Sequence, residues 1–166
     1  MAYLPQQLGI QRRTDEKRRC FKMKIKSILF PHDFSENASK IVPYVQSMAK
    51  AYDSGIYVLH VVQDLQKWGK AYIPHRSMDL FEEEALEAAQ KTMDRICKEE
   101  FQGVNNLKKK VVSGDPASEI IKTIESEDVD LVLMGTHGRK GLEHVVFGSV
   151  AENVVKKSTV PVMTVN

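Results

Sequence analysis

A chain of 166 residues, 42% of them hydrophobic and spread along its length, is enough for one globular domain, and no run in it approaches the roughly 18 apolar residues of a membrane span. Its formal charge of +2 hides an asymmetry: residues 1–26 hold eight Lys or Arg against Asp15 and Glu16, a net +6, which leaves about −4 on residues 27–166. A mildly acidic body does not offer the organised basic surface of a nucleic-acid binder, and Cys20 and Cys97, with no C-x-x-C pair, exclude a disulfide framework and a thiolate zinc site.

Residues 1–23 read as a basic, flexible extension ahead of a domain at 24–166. The stretch LGIQRRTDEKRRCFKMK lacks the apolar core of a secretory signal, so the expected location is cytoplasmic, with neither a membrane nor a nucleic acid as partner. From residue 24 onward, short apolar or alternating runs take turns with longer runs of helical period. Strands are predicted at 24–30 (KIKSILF), 56–62 (IYVLHVV), 107–113 (LKKKVVS), 129–135 (VDLVLMG) and 160–165 (VPVMTV). Helices are predicted between them at 36–53, 79–101, 116–127 and 148–157. Strict alternation of strand and helix implies a parallel sheet with helices on both faces.

Local signals mark the boundaries. Ser35 is placed to cap the first helix, whose inward positions include Ala38, Ile41, Val42, Val45 and Met48; Gly55 follows its end. Pro43 must either kink that helix or occupy a position where a missing N–H is tolerated. The second helix turns Leu80, Ala85, Leu86, Ala89, Met93, Ile96 and Cys97 to one face, with Cys97 acting as a small hydrophobe. Asp115 followed by Pro116 reads as an N-cap and first helical residue just past Gly114. The connection 63–78, with Trp68, Tyr72, Pro74, His75 and Arg76, is long for this fold class and reads as a covering segment, a lid or an adenine-side contact.

In an open parallel sheet, ligands collect beyond the carboxyl ends of the strands. PHDFS, SGDPAS and GTHGRKGLEHVVFGSV all arrive there. Gly148 and Ser149 stand where a helix opens, so unpaired N–H groups, the helix dipole and a hydroxyl can meet a phosphate. Gly135 and Gly138 allow the backbone to turn beneath a sugar or phosphate. No Gly-Lys-Ser/Thr loop and no G-x-G-x-x-G after the first strand are present, which removes the usual bases for phosphate-loop NTPase or nicotinamide chemistry.

Gly135-x-x-Gly138, nine residues, then Gly148-Ser149 resembles the nucleotide-binding signature of the universal stress protein family, in its ATP-binding branch and single-domain form. FPHDFS, LHVV, SGDP and PVMTV extend the resemblance over residues 24–166. It implies an open Rossmann-like α/β fold with a five-stranded parallel sheet of order 3-2-1-4-5. It also implies an adenine nucleotide ligand (ATP, with AMP or ADP as variants), Mg²⁺ or Mn²⁺ travelling with the phosphates, and a homodimer through the C-terminal strand at 161–165. Residue by residue, Pro31, Asp33 and Phe34 fall on the adenosine-side turn and Val61 or Val62 beside adenine. Met134 falls against the nucleoside, Gly135, His137 and Gly138 near ribose and phosphate, and Gly148, Ser149 and Val150 at the phosphates.

Plainer roles stand beside these. Asp33 alone reads as a helix cap, His137 as a support for the glycine turn, and Arg139 and Lys140 as solvated charges or phosphate neutralisers. The role of His32, where relatives often have Thr or Val, is left open, with a solvent-facing or locally hydrogen-bonded side chain preferred to a catalyst. His60 reads as packed or edge; His75 and His144 have no evident partner. The expected function is a stress-response regulator whose bound nucleotide alters its contacts with a regulatory protein partner. A slow metal-dependent ATPase or phosphoryl-transfer enzyme, or a nucleotide-stabilised scaffold, are the alternatives. No residue is assigned as a catalyst.

Overall fold

The computed structural model describes residues 24–63, 75–136 and 148–166. Within them, the elements run β1 (Ser27–Pro31), α1 (Glu36–Ser39), α2 (Val42–Tyr52), β2 (Gly55–Gln63), α3 (His75–Glu100), β3 (Leu107–Gly114), α4 (Pro116–Ser126), β4 (Leu131–Gly135), α5 (Ser149–Lys157) and β5 (Val162–Val165). Every strand pairing is parallel and the order is β3-β2-β1-β4-β5, the open Rossmann-like arrangement expected. The proposed N-terminal extension 1–23 lies outside the described residues.

Period-two geometry sorts the apolar residues into two layers. Ile28, Phe30, Ile56, Val58, Leu131 and Leu133 face α2 and α3, where they meet Val45, Ala49, Met93, Ile96 and Cys97. Leu29, Tyr57, Leu59, Val132 and Met134 face the other way, onto Ala117, Ile120 and Ile124 of α4 and Ala151 and Val154 of α5. Both faces of the central strands are therefore dry, which is why they read as continuous apolar runs. Cys97 is a buried member of the first layer, its thiol against Met93 sulfur at 3.7 Å and held above its ordinary pKa by burial.

The helix expected at 36–53 is two helices. The chain breaks at Lys40 and Ile41, and Pro43 falls in the first turn of α2, where an absent N–H costs no helical bond. Asp53, at φ 57°, supplies the left-handed C-cap, and Gly55 instead opens β2. The connection expected at 63–78 is shorter, because β2 continues to Gln63 and α3 begins at His75; Trp68, Tyr72 and Pro74 lie outside the described residues. Asp115 caps α4 as expected, accepting from Ser118 N–H at 3.0 Å and Ser118 hydroxyl at 2.6 Å. Gly114 just before it has φ 153°, and a Cβ there would stand 2.9 Å from Glu119 Cγ.

Lys108, Lys109 and Lys110 lie exposed on the edge strand β3, and two of them pair with acids: Lys109 with Asp94 at 2.6 Å and Lys108 with Glu127 at 3.8 Å. Charge on an edge discourages further strand addition.

Phe30 is fully buried between sheet and helices, whereas Phe81 on α3 is 60% exposed. Phe30→Ala is expected to destabilise the domain by about 3–5 kcal/mol. Phe81→Ala is expected to change stability by under about 0.5 kcal/mol. Urea unfolding followed by circular dichroism measures both, and equal costs would contradict this layering.

Candidate functional site

Parallel pairing puts the carboxyl ends of all the strands on one edge. At that edge β1 stays with β2 and parts from β4. The β1–β2 ladder runs to Pro31↔Leu59 and is prolonged by His32 N–H donating to Leu59 O at 2.8 Å, while the β1–β4 ladder comprises Ile28↔Leu131 and Leu29↔Val132. The crevice between β1 and β4 is also where the strand order reverses, the position at which open α/β sheets hold ligands.

The PHDFS turn walls one side. Half-buried Asp33 accepts through Oδ1 from Ser35 N–H at 3.1 Å and Ser35 hydroxyl at 2.6 Å, and Ser35 Oγ accepts from Ala38 N–H at 3.2 Å. Ser35 is thus the cap of α1, and Asp33 holds the cap rather than being it. Phe34 sits at φ 63°, a conformation that bulky residues adopt only under constraint. Its N–H donates to His32 Nδ1 at 3.0 Å, and its ring stacks on His60 at 3.6 Å between centroids. His60 Nδ1 in turn donates to His32 O at 2.7 Å.

His32 is not solvent-facing: its side chain is buried, 2% exposed, and held by the local hydrogen bond from Phe34 N–H. Burial pushes the imidazole pKa below its ordinary 6.5, against the pull of Glu100 and Asp33. His60 is packed, at 5% exposure. Glu100, which sequence reading did not single out, stands with its Oε2 at 3.8 Å from His32 Nε2. No local pattern marks that pairing, since His32 follows β1 and Glu100 ends α3, with β2 between them in the chain.

Pro31, Val61 and Val62 are half-buried at the ends of β1 and β2, with Val61 packed toward the α4 layer. Met134 is buried in the same layer, and Gly135 closes β4 beside Val165. His137 and Gly138, like Arg139, Lys140 and His144, lie outside the described residues; His75 begins α3.

Gly148 is the N-cap of α5. Its N–H donates to Thr136 O at 2.7 Å, and a Cβ on it would approach that same carbonyl to 3.1 Å. The first helical bond is Glu152 N–H to Gly148 O at 3.0 Å, so the N–H groups of Ser149, Val150 and Ala151 have no acceptor within the helix, and the N-cap glycine has no side chain to offer one. By contrast, Ser35 and Asp115 occupy the starts of α1 and α4. Thr136, also missed in the sequence, ties the corner: its N–H donates to Val165 O at 3.0 Å and its hydroxyl to Asn166 Oδ1 at 3.1 Å. A Thr between Gly135 and His137 carries no signal beyond that of a turn.

No cluster of three or more His, Cys, Asp or Glu suited to a metal ion occurs among the described residues. A cavity of about 650 Å³ opens at the opposite, amino edge of the sheet, lined by Lys24, Lys26, Lys108, Glu127, Asp128 and Asp130. Of its charges, Lys108 pairs with Glu127, and Asp130 Oδ2 accepts from the N–H groups of Lys26 and Ser27 at 2.7 and 3.1 Å.

The universal stress protein family model matches residues 24–166. Universal stress protein MJ0577 of Methanocaldococcus jannaschii is 36% identical over 153 residues, covering 84% of this chain and 94% of that one. A solved structure of MJ0577 superposes with a TM-score of 0.75 at 33% identity, over 86% of this chain and 96% of that one. Two further structures share the fold. One is the universal stress protein of Archaeoglobus fulgidus in complex with dAMP (TM-score 0.54, 20% identity, 87% of this chain and 100% of that one). The other is a universal stress protein in complex with cAMP (TM-score 0.56, 17% identity, 87% and 98%). With a family match that spans the whole sheet, and with its strand order in place, the chain belongs to the universal stress protein family.

Proposed function

We propose that this protein binds an adenine nucleotide, ATP, in the crevice between β1 and β4, and regulates a stress response through contacts that the nucleotide alters. The observation that carries the reading is the glycine-capped start of α5 beside that crevice, where three amides without an acceptor in the helix and the helix dipole suit an anion. Complexes of two fold relatives with dAMP and cAMP support an adenine ligand. Asp33 takes the ribose side, Pro31 and Val61 or Val62 flank adenine, and Met134 and Gly135 underlie the nucleoside. His137 and Gly138 approach ribose and phosphate. Ser149 and Val150 receive the phosphates, where Mg²⁺ or Mn²⁺ accompanies them. Gly148 contributes space rather than a donor, since its N–H is already bound to Thr136 O.

The described residues favour binding over turnover, because a cradle for the ground state does not by itself lower a barrier. Phosphoryl transfer needs a group that orients the attacking oxygen, and Asp33, the carboxylate of the turn, is bound to Ser35. The proposed site of action is the cytoplasm; among the described residues no helix is long and apolar enough to cross a membrane.

The proposed homodimer joins through β5. That strand ends the sheet, pairs with β4 on one side, and leaves the Met163 side chain 38% exposed. An apolar edge of this kind is suited to a second copy.

Purified without added nucleotide, the protein is expected to retain an adenine nucleotide identifiable by mass spectrometry. Gly148→Val is expected to weaken ATP binding in calorimetry by about 0.3–2 kcal/mol, the scale of a charge at a helix terminus, with adenosine affected less. Unchanged ATP affinity in a folded variant would remove α5 from the site. Steady-state assays with Mg²⁺ or Mn²⁺ are expected to show turnover well below about 10 s⁻¹, and a rate at that scale lost in Gly148→Val would make this an enzyme. Sedimentation is expected to find a dimer that Met163→Arg converts to monomer; a dimer that survives the change lies elsewhere.

A further inference from the structure

Among the described side chains, buried polar atoms without a hydrogen bond are His32 Nε2 and Glu100 Oε2, and they face each other at 3.8 Å. The contacts around them are otherwise made. His32 N–H donates to Leu59 O at 2.8 Å, His32 O accepts from His60 at 2.7 Å, and His32 Nδ1 accepts from Phe34 N–H at 3.0 Å. Glu100 Oε1 accepts from the Ser39 hydroxyl at 2.7 Å, and its carbonyl accepts from Gln46 Nε2 at 2.8 Å.

A backbone N–H on Nδ1 decides the tautomer. The neutral ring carries its proton on Nε2, on the side of Glu100. A second proton can go only to Nδ1, where it would confront the Phe34 N–H, donor against donor. Phe34 would then lose the acceptor that helps hold it at φ 63°, and Asp33 and Ser35, the next residues on either side of it, share that turn.

We propose that His32 is the positioning residue of turn 31–35, and that its protonation loosens the turn and makes the nucleotide site sensitive to acid. The second half rests on the nucleotide reading above. The charged groups acting on the ring are Glu100 from α3 and Asp33 from the turn; His60 from β2 binds the His32 carbonyl, and the neutral Ser39 and Gln46 from α1 and α2 bind Glu100. Glu100 and Asp33 favour the charged ring, but burial outweighs them and keeps it neutral below the ordinary 6.5. The unfolded chain therefore takes up the proton first. Stability falls as the pH drops from the ordinary histidine pKa toward the lowered one of the folded state, and levels off below it.

Nitrogen-15 NMR of the intact protein without nucleotide is expected to show His32 as the Nε2–H tautomer at neutral pH, with a midpoint below 6.5. The Phe34 and Ser35 amide signals are expected to move with that titration. A proton on Nδ1 at neutral pH, or amides that ignore the titration, would overturn the proposal. Glu100→Gln removes a charge that favours the imidazolium, so the His32 midpoint is expected to move to lower pH; a stationary midpoint overturns the pairing.

Calorimetry is expected to show ATP affinity falling roughly three- to tenfold between about pH 7.5 and 5.5, the scale of one hydrogen bond. In His32→Asn the amide oxygen offers Phe34 an acceptor with no proton to gain, and this dependence is expected to shrink to what the phosphates' own titration causes in both proteins. An undiminished dependence in His32→Asn assigns it to another group and overturns the acid-sensitive site. If the unaltered protein binds no ATP at any pH, the nucleotide reading and the acid-sensitive site fall together, while the NMR titration still decides whether His32 positions the turn.

Discussion

The central position of β1 constrains everything around it. Ile28, Leu29 and Phe30 are fully buried, with β2 on one side, β4 on the other and helices over both faces. A strand so enclosed must satisfy its backbone through its neighbours, because no water reaches it. Asp130 completes the arrangement at its start by accepting from Lys26 and Ser27 N–H. At its end the chain must leave the sheet at once, and Pro31 marks where it does. The crevice follows from this packing: β1 keeps its hydrogen bonds to β2 as far as Leu59 O and leaves β4 unpaired beyond Leu29.

Around that crevice the helix starts divide by their chemistry. At α1 and α4, Ser35 and Asp115 side chains accept the amides that every helix leaves over. At α5 a glycine stands in that place, close against Thr136 O, and offers the first-turn amides no side-chain acceptor of its own. A side chain at Gly148 would press on that carbonyl, so closeness rather than an unusual backbone angle accounts for the glycine: its φ is −65°. Acidity does not collect at this terminus either, since Glu152 is paired with Lys156 at 2.6 Å.

The turn opposite is stiffened by aromatic and imidazole groups. Phe30 meets His32 edge-on at 5.3 Å, and Phe34 stacks on His60. These contacts hold a bulky residue in a left-handed conformation that local preference opposes. Through Ser39 and Gln46, Glu100 fastens the end of α3 to α1 and α2 directly beneath that turn. A shift at the carboxyl edge of the sheet is therefore connected, through packed groups, to the helices of one face.

Much of the fold was legible because it is written in short-range terms. The apolar run IYVLHVV, a 3.6-residue rhythm from Ala89 to Cys97, and the caps Ser35 and Asp115 each depend on neighbours within a few residues, and each element came out at or near its expected place. The same locality made Pro31, Asp33, Gly135 and Gly148 visible as residues at strand and helix ends; their resemblance to a family signature supplied strand order and the ligand class. Only the tertiary structure decided how those residues are used. It divided the first helix at Lys40, gave the left-handed cap to Asp53, and turned Gly148 N–H toward Thr136. It also buried His32 against Glu100. Each of these depends on which distant segments the sheet order brings together, and burial and cross-chain hydrogen bonding are properties of that assembly, with no trace in the few residues around them.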